Sequence, residues 1–201
     1  MADIDAQSWD SVRRWRVRQR RRLVEQRLAL SAAERAQLAD AIIERLAEAL
    51  HLRPGDRAGF YWPLRGEPDL RPYVRRLLER GVTAALPVVV EQGRPLEFWH
   101  WDAGTKMRRQ EVWGIPVPAE RIPTRPTVLL IPLVGYDGSC HRLGHGGGYY
   151  DRTLAALEPR PLAIGVGLAQ GRLQTIHPQP HDVPMDVIVT ENETLRREAR
   201  P

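Results

Sequence analysis

Four glycines fall within five positions, Gly144, Gly146, Gly147 and Gly148, between Arg142 and Arg152 and just ahead of Tyr149-Tyr150-Asp151. Glycine reaches positive φ and lets a ligand approach the backbone. Guanidinium groups grip phosphate oxygens with paired donors, and a carboxylate beside bound phosphates is a hard ligand for a divalent cation. The apolar run Thr127 to Leu133 comes just before this stretch, and the helix-compatible Thr153 to Leu157 follows it. A buried strand thus leads to a glycine-rich turn that opens a helix, whose unpaired N–H groups and positive dipole end favour an anion. Glycines also serve plain turns, so the run is judged on its own residues. It is not a P-loop, because GxxxxGK[ST] is absent and Lys106 is the only lysine. The GxGxxG spacing fits poorly, and no clear ribose-binding acid follows.

The pattern Asp137-x-x-x-x-Arg142-Leu143-Gly144-x-Gly146-x-Gly148-Tyr149-Tyr150-Asp151-Arg152 resembles the signature of the 5-formyltetrahydrofolate cyclo-ligase, or methenyltetrahydrofolate synthetase, family. Tyr136-Asp137 supplies the family's aromatic-Asp pair. Cys140 is a departure, since the family usually has glycine there. The resemblance runs from about Arg16 to Glu191. Arg16 and Arg20 stand where the family has a basic pair, the first usually lysine. Phe60 to Glu67 looks like its strand and folate-binding loop. Trp113 to Pro118 resembles its GIPxP segment, and His181-Asp182-x-x-x-Asp186 its C-terminal HDxxxD element.

The resemblance implies ATP- and Mg²⁺-dependent closure of 5-formyltetrahydrofolate to 5,10-methenyltetrahydrofolate, with release of ADP and phosphate. It implies nucleotide contacts from Arg16, Arg20 and the stretch Arg142, Leu143, Gly144, His145, Gly146, Gly147, Gly148, Tyr149 and Tyr150. Folate contacts would come from Trp62, Glu67, Gly147, Gly148, Tyr149 and Tyr150. Asp151 and Asp186 would hold the metal, with Arg142, Tyr149 and Asp151 closest to the chemistry. Each residue also has a plainer role open to it. Glu67 precedes Pro68-Asp69 at a helix start and could cap it. Trp62 could be core, one of the two tyrosines could pack the helix, and Asp186 could pair structurally. His141, His145, His177 and His181 lack a zinc spacing such as HExxH and read as loop histidines. Cys140 has no evident base beside it and reads as a small buried residue.

Composition narrows the field. The chain has 201 residues, 42% hydrophobic and 27% charged, which suits one globular domain spanning residues 1–201 with both ends frayed, about 1–10 and 192–201. One cysteine permits no internal disulfide, so a reducing, cytoplasmic setting is expected. No stretch has the length and apolarity of a membrane span. Net charge is +5, and Arg13, Arg14, Arg16, Arg18, Arg20, Arg21, Arg22 and Arg27 crowd one segment. A basic nucleic-acid-binding protein is thus a competing class, although no RNP-like or zinc-finger pattern supports it. An inactive folate- or nucleotide-binding relative is another, because similarity guarantees a site better than a rate. The favoured partners are 5-formyltetrahydrofolate and ATP, acting on a monomer.

The elements that must position these residues follow from periodicity. A first helix is expected over Ser8 to Leu30. Ser31-Ala32-Ala33-Glu34 is a capping box opening a second helix to about Leu50, with Leu38, Ile42, Leu46 and Leu50 inward. Strands are expected at Ala58 to Trp62, Thr83 to Val90, Leu96 to Trp101 (an edge), Val128 to Leu133, Leu162 to Val166 and Val187 to Thr190. A helix spans Asp69 to Arg80. Alternating strands and helices predict an α/β fold with a mainly parallel sheet. The family resemblance makes it three-layered and Rossmann-like, with ligands at the carboxyl ends of the strands.

Overall fold

The computed structural model describes residues 8–110 and 114–198. Trp113 of the GIPxP-like segment lies outside them. In chain order the elements are α1 (Trp9–Ala29), α2 (Ala32–Ala49), β1 (Arg57–Gly59), α3 (Arg71–Glu79), β2 (Thr83–Val88), β3 (Glu97–Trp101), β4 (Met107–Arg109), β5 (Pro116–Pro118), β6 (Val128–Pro132), β7 (Gly135–Tyr136), β8 (Arg142–Leu143), α4 (Tyr149–Ala156), β9 (Leu162–Val166), a 3-10 turn (Ala169–Gly171), β10 (Val187–Val189) and β11 (Thr194–Arg196).

The main sheet has seven strands in the order β11-β10-β9-β6-β1-β2-β3. The five inner strands are parallel, and β3 and β11 close the two edges antiparallel. Counting parallel strands alone, the order is that of a doubly wound sheet which starts in the middle and reverses between β1 and β6. Connections on the two sides of such a reversal leave toward opposite faces, opening a crevice at the carboxyl ends. The loops leaving β1 and β6 carry Glu67 and the glycine run respectively.

Period-two alternation along the strands explains the layers. Ala58, Ala84, Leu86, Val128, Leu130, Ile164, Val166, Val187 and Val189 face one side and bury Ile42, Ile43 and Leu46 of α2 with Tyr73, Val74 and Leu77 of α3. Ala85, Leu129, Ile131, Ala163 and Ile188 face the other side, against Leu154 of α4. The capping box forms: Ser31 Oγ accepts from Glu34 N at 3.2 Å, and Glu34 accepts from Ser31 N at 2.7 Å. Pro87 sits in β2 beyond the last paired residue of β1, Gly59↔Ala85, so its missing N–H breaks no bond of that ladder.

α1 is the outlier. It crosses the carboxyl edge of the sheet, and its inward side carries arginines as well as Val12 and Leu23. Arg16 donates to Ile176 O, Arg20 to Gly144 O, and Arg27 to Arg65 O. One helix thereby ties together the three loops of that edge.

Several expected elements shift. The strand expected over Ala58 to Trp62 stops at Gly59, because a loop begins ahead of Pro63. Residues 192–198 do not fray as a whole: Thr194–Arg196 forms β11 on β10. Its turn is fastened by Tyr136, whose hydroxyl donates to Glu193 at 2.7 Å, and by Arg172 on the same carboxylate. At the other end the helix already begins at Trp9. The small ladders β4–β5 and β7–β8 were not anticipated. Among the described residues no helix is long and apolar enough to cross a membrane.

Candidate functional site

The hairpin β7–β8 places the glycine loop. Asp137 is the reason it turns where it does. Its Oδ1 accepts from Ser139 N, Ser139 Oγ and His141 N, and its Oδ2 accepts from Ile176 N at 3.0 Å. This buried carboxylate therefore shapes the turn and binds it to the segment after β9. Cys140 lies in the turn with φ 61°, a left-handed conformation costing a non-glycine residue roughly 1–2 kcal/mol. That backbone requirement accounts for the family's usual glycine. Burial pushes the Cys140 thiol up to about 11, so it is not a thiolate near neutrality.

The loop itself needs two of its glycines for their backbone. Gly146 has φ +100° and Gly148, the N-cap of α4, φ +64°. Gly146 also lies against Arg20, where a Cβ would come within 3.4 Å of the guanidinium carbon. The N–H groups opening α4 are left without side-chain caps, so the helix start keeps donors for a ligand.

Around this loop the charges meet in pairs. Arg142 donates to both oxygens of Asp151, at 2.9 and 3.2 Å. Arg16 donates to both oxygens of Asp182, at 3.2 and 2.5 Å. His145 Nε2 lies 2.7 Å from Glu67 Oε1, while Glu67 Oε2 accepts from Leu64 N at 2.9 Å. Asp151 Oδ1 also accepts from Val183 N at 3.1 Å, which sets the Asp182 segment beside the start of α4. Among the described residues Arg20 bonds protein only through Nε, to Gly144 O at 2.7 Å. Burial, with Arg16 nearby, lowers its pKa. Burial alone would raise the Asp182 pKa, but the bonds from Arg16 and Gln179 N hold it below the ordinary carboxylate value.

Among the described residues, the buried side-chain nitrogens or oxygens without a hydrogen-bond partner are Arg27 Nη2, Arg142 Nε and Arg152 Nε. All three are guanidinium donors, and Arg142 and Arg152 bracket the glycine loop. Arg152 also donates to Gly147 O at 2.6 Å and lies 5.0 Å from the Tyr149 ring centre. Unsatisfied donors of one sign at one edge point to an anionic ligand.

The remaining candidates fall nearby. Tyr150 lies within 5.8 Å of the Arg142 guanidinium, and burial foremost raises its phenol pKa, with Glu67 adding to it. Tyr61 is fully buried and donates to Pro68 O at 2.9 Å, holding the loop that carries Glu67. Trp62 is half-buried, with one face under Arg71 at 4.7 Å. Arg71 is itself fixed by Asp69 at 2.6 Å.

Asp186 does not join this group. Its backbone N donates to Ala163 O, its Oδ2 accepts from Ala163 N at 2.7 Å, and Arg160 Nη1 sits 2.9 Å from both oxygens. Ala163 is the second residue of β9, so Asp186 stands at the amino edge of the sheet, the wrong end for the crevice. The metal role expected for Asp186 is corrected on that ground. The carboxylate of the same segment that reaches the site is Asp182, four residues earlier. Among the described residues no three His, Cys, Asp or Glu side chains cluster as a self-contained metal cage. Two carboxylates, Asp151 and Asp182, near the glycine loop could hold a hard ion that keeps water and takes few protein ligands, which is the habit of Mg²⁺.

Comparison with known proteins agrees with the fold and with the family resemblance of the sequence. The model of the 5-formyltetrahydrofolate cyclo-ligase family matches residues 10–191. The chain is 33% identical over 138 residues to 5-formyltetrahydrofolate cyclo-ligase of Mycolicibacterium smegmatis, covering 65% of this chain and 71% of that protein. It is 25% identical over 180 residues to the probable enzyme of that name from Caenorhabditis elegans, covering 83% and 87%. The solution structure of Aquifex aeolicus 5,10-methenyltetrahydrofolate synthetase superposes with a TM-score of 0.79 at 27% identity, covering 92% of this chain and 95% of that one.

Proposed function

The chain belongs to the 5-formyltetrahydrofolate cyclo-ligase family, and from that premise we propose that it closes 5-formyltetrahydrofolate to 5,10-methenyltetrahydrofolate at the crevice between β1 and β6, using ATP. The observation that carries this reading is the meeting of the glycine loop, the uncapped start of α4 and the arginines of α1 and β8 at one sheet edge, with Glu67 across from them. Phosphate and a flat, donor-rich ring would find complementary partners side by side.

The chemistry divides into two displacements. The formyl oxygen attacks the γ-phosphorus, forming an O–P bond as the bond to the β-phosphate oxygen breaks and ADP leaves. The formyl carbon, now bearing a good leaving group, is attacked by N10. The ring closes, N10 loses its proton, and the C–O bond breaks to release phosphate. Protein assistance to such steps is mainly positioning and charge stabilisation. Arg20 and Arg142 would take phosphate oxygens, as would Arg16 once Asp182 releases it. The N–H groups of 144–148 and the start of α4 would hold the terminal phosphates. Glu67 would accept from pterin N–H groups, with Trp62 and Tyr150 as walls and Tyr149 beside the glycines.

Asp151 and Asp182 would hold Mg²⁺, which when bound supplies neutralisation of charge on the phosphates. With both ligands bound, each arginine–aspartate pair would separate, Arg142 and Arg16 turning to phosphate and Asp151 and Asp182 serving as the carboxylates that hold the ion. The pairs keep both members compensated until the ligands arrive. One cysteine and no disulfide support a cytoplasmic setting.

The test is an absorbance assay for the methenyl product with ATP and Mg²⁺ supplied or withheld in turn. Turnover only when both are present is expected. Equal turnover without ATP would rule out the mechanism.

A further inference from the structure

Glu67 is a deeply buried carboxylate, with its side chain 3% exposed, and its partner His145 is 38% exposed. Among the described residues only Leu64 N and His145 Nε2 bond to it. Leu64 belongs to Glu67's own loop, whereas His145 comes from the glycine loop, 78 residues away. The pair is therefore a direct bridge between the loop that holds phosphates and the acid that faces the second substrate.

The two partners are unequal. A buried carboxylate left with one donor is costly, so something must always stand where His145 stands. The imidazole is under no such constraint, because water can solvate it. Its backbone is also poised to move, with Gly144 before it and Gly146, at φ +100°, after it. Arg27, Tyr61 and Tyr150 surround Glu67 closely enough to feel its charge. Arg27 Nη2 is nonetheless unpartnered, so the arginine does not substitute for the imidazole. A flat heterocycle with two adjacent N–H donors on one edge would satisfy the carboxylate better than one imidazole N–H.

We infer that His145 is a gate between the two substrate sites: in the ligand-free protein it occupies Glu67, and the folate ring binds by displacing it. The inference rests on the function proposed above. Displacement loosens the glycine loop from the Glu67 side, and Arg20 feels the change, because it bonds Gly144 O and packs on Gly146. Folate binding thereby frees the phosphate loop to close on the nucleotide.

The experiment measures 5-formyltetrahydrofolate binding by calorimetry, without nucleotide, for the native protein, His145→Ala and His145→Gln. Each is also melted with and without saturating 5-formyltetrahydrofolate. His145→Ala removes the competitor and leaves Glu67 waiting, so its Kd should fall roughly tenfold, the scale of one hydrogen bond to a charged group. Its free form should melt below the native protein, and its folate-saturated form level with it. His145→Gln keeps a donor of similar reach and should return both readings toward native. Equal or weaker binding by His145→Ala, or a melting deficit that survives saturation, would make His145 a fixed structural contact and overturn the gate. Failure of the native protein itself to bind 5-formyltetrahydrofolate would overturn the function proposed above and the gate with it.

Discussion

Asp182 and Asp186 lie four residues apart in one segment, each paired with an arginine, yet they stand at opposite edges of the sheet. Asp186 is knotted into the amino edge by Arg160 and by two bonds with Ala163, one from its backbone N to Ala163 O and one from Ala163 N to its carboxylate. Arg160 also donates to Pro184 O at 3.2 Å, and Ala163 pairs with Leu129 in the sheet, so these partners belong to the scaffold. Asp182, at the carboxyl edge, is held by Arg16 from α1 and by Gln179 N. It sits one residue from Val183, whose N–H rests on Asp151. The same Asp–Arg chemistry is thus permanent scaffolding at one edge and, in our account, an exchangeable reserve of charge at the other. What separates the two is whether a ligand can take over both partners.

The largest effect expected from this contrast is at Asp151. Asp151→Asn should lower kcat by at least about 100-fold, the scale for losing a preorganised electrostatic contact, and shift the Mg²⁺ titration upward. Its melting temperature should move by only a few degrees. An unchanged Mg²⁺ curve with a normal rate would return Asp151 to a structural role at the helix start.

Arg20 sharpens the comparison within α1. Arg20→Ala should raise KM for ATP by about tenfold or more, as for a lost charge-assisted bond. Arg22→Ala should leave it unchanged, since Arg22 is exposed and among the described residues bonds only Gln19. Equal small effects would mean that the arginine-rich helix acts only as diffuse charge.

Much of this was legible in residues alone. The glycine loop, the capping box at Ser31 and the inward stripe of Ile42 and Leu46 announce themselves, because each depends on neighbours in sequence. The two faces of the sheet follow from alternation. The short ladders β4–β5, β7–β8 and β11 were not legible. Two or three residues carry no period, and β11 is charged and held from a distance by Tyr136 and Arg172. The choice between Asp182 and Asp186 depended on where the chain crosses from one edge to the other. One signal was available: Asp186 directly precedes the Val187 strand, and a residue at the amino start of a parallel strand lies away from the crevice. The link between His145 and Glu67 left no sequence trace, because it joins two loops that only the β1–β6 reversal brings together.

Two smaller effects bear on the scaffold. Ser31→Ala should cost about 1 kcal/mol of stability through the lost cap and leave the kinetics alone, which a chemical melt and a rate assay would check together. The Asp182 pKa is depressed in the folded protein. Its contribution to stability is therefore full above the ordinary carboxylate value of about 3.9 and is lost as pH falls through the lower, folded value. Arg16→Gln should flatten that acid limb, measured as melting temperature against pH. An unchanged limb would show that Arg16 does not hold the carboxylate ionised.

The most direct test sets the two edges against each other in one assay: the initial rate of methenyl formation, with saturating ATP and Mg²⁺, for Asp182→Asn and Asp186→Asn. The rate should collapse in Asp182→Asn. In Asp186→Asn it should stay near native, with a stability loss of about 1–3 kcal/mol from the broken charge-assisted bonds. A near-native rate in Asp182→Asn together with an inactive but folded Asp186→Asn would contradict this assignment of the two edges.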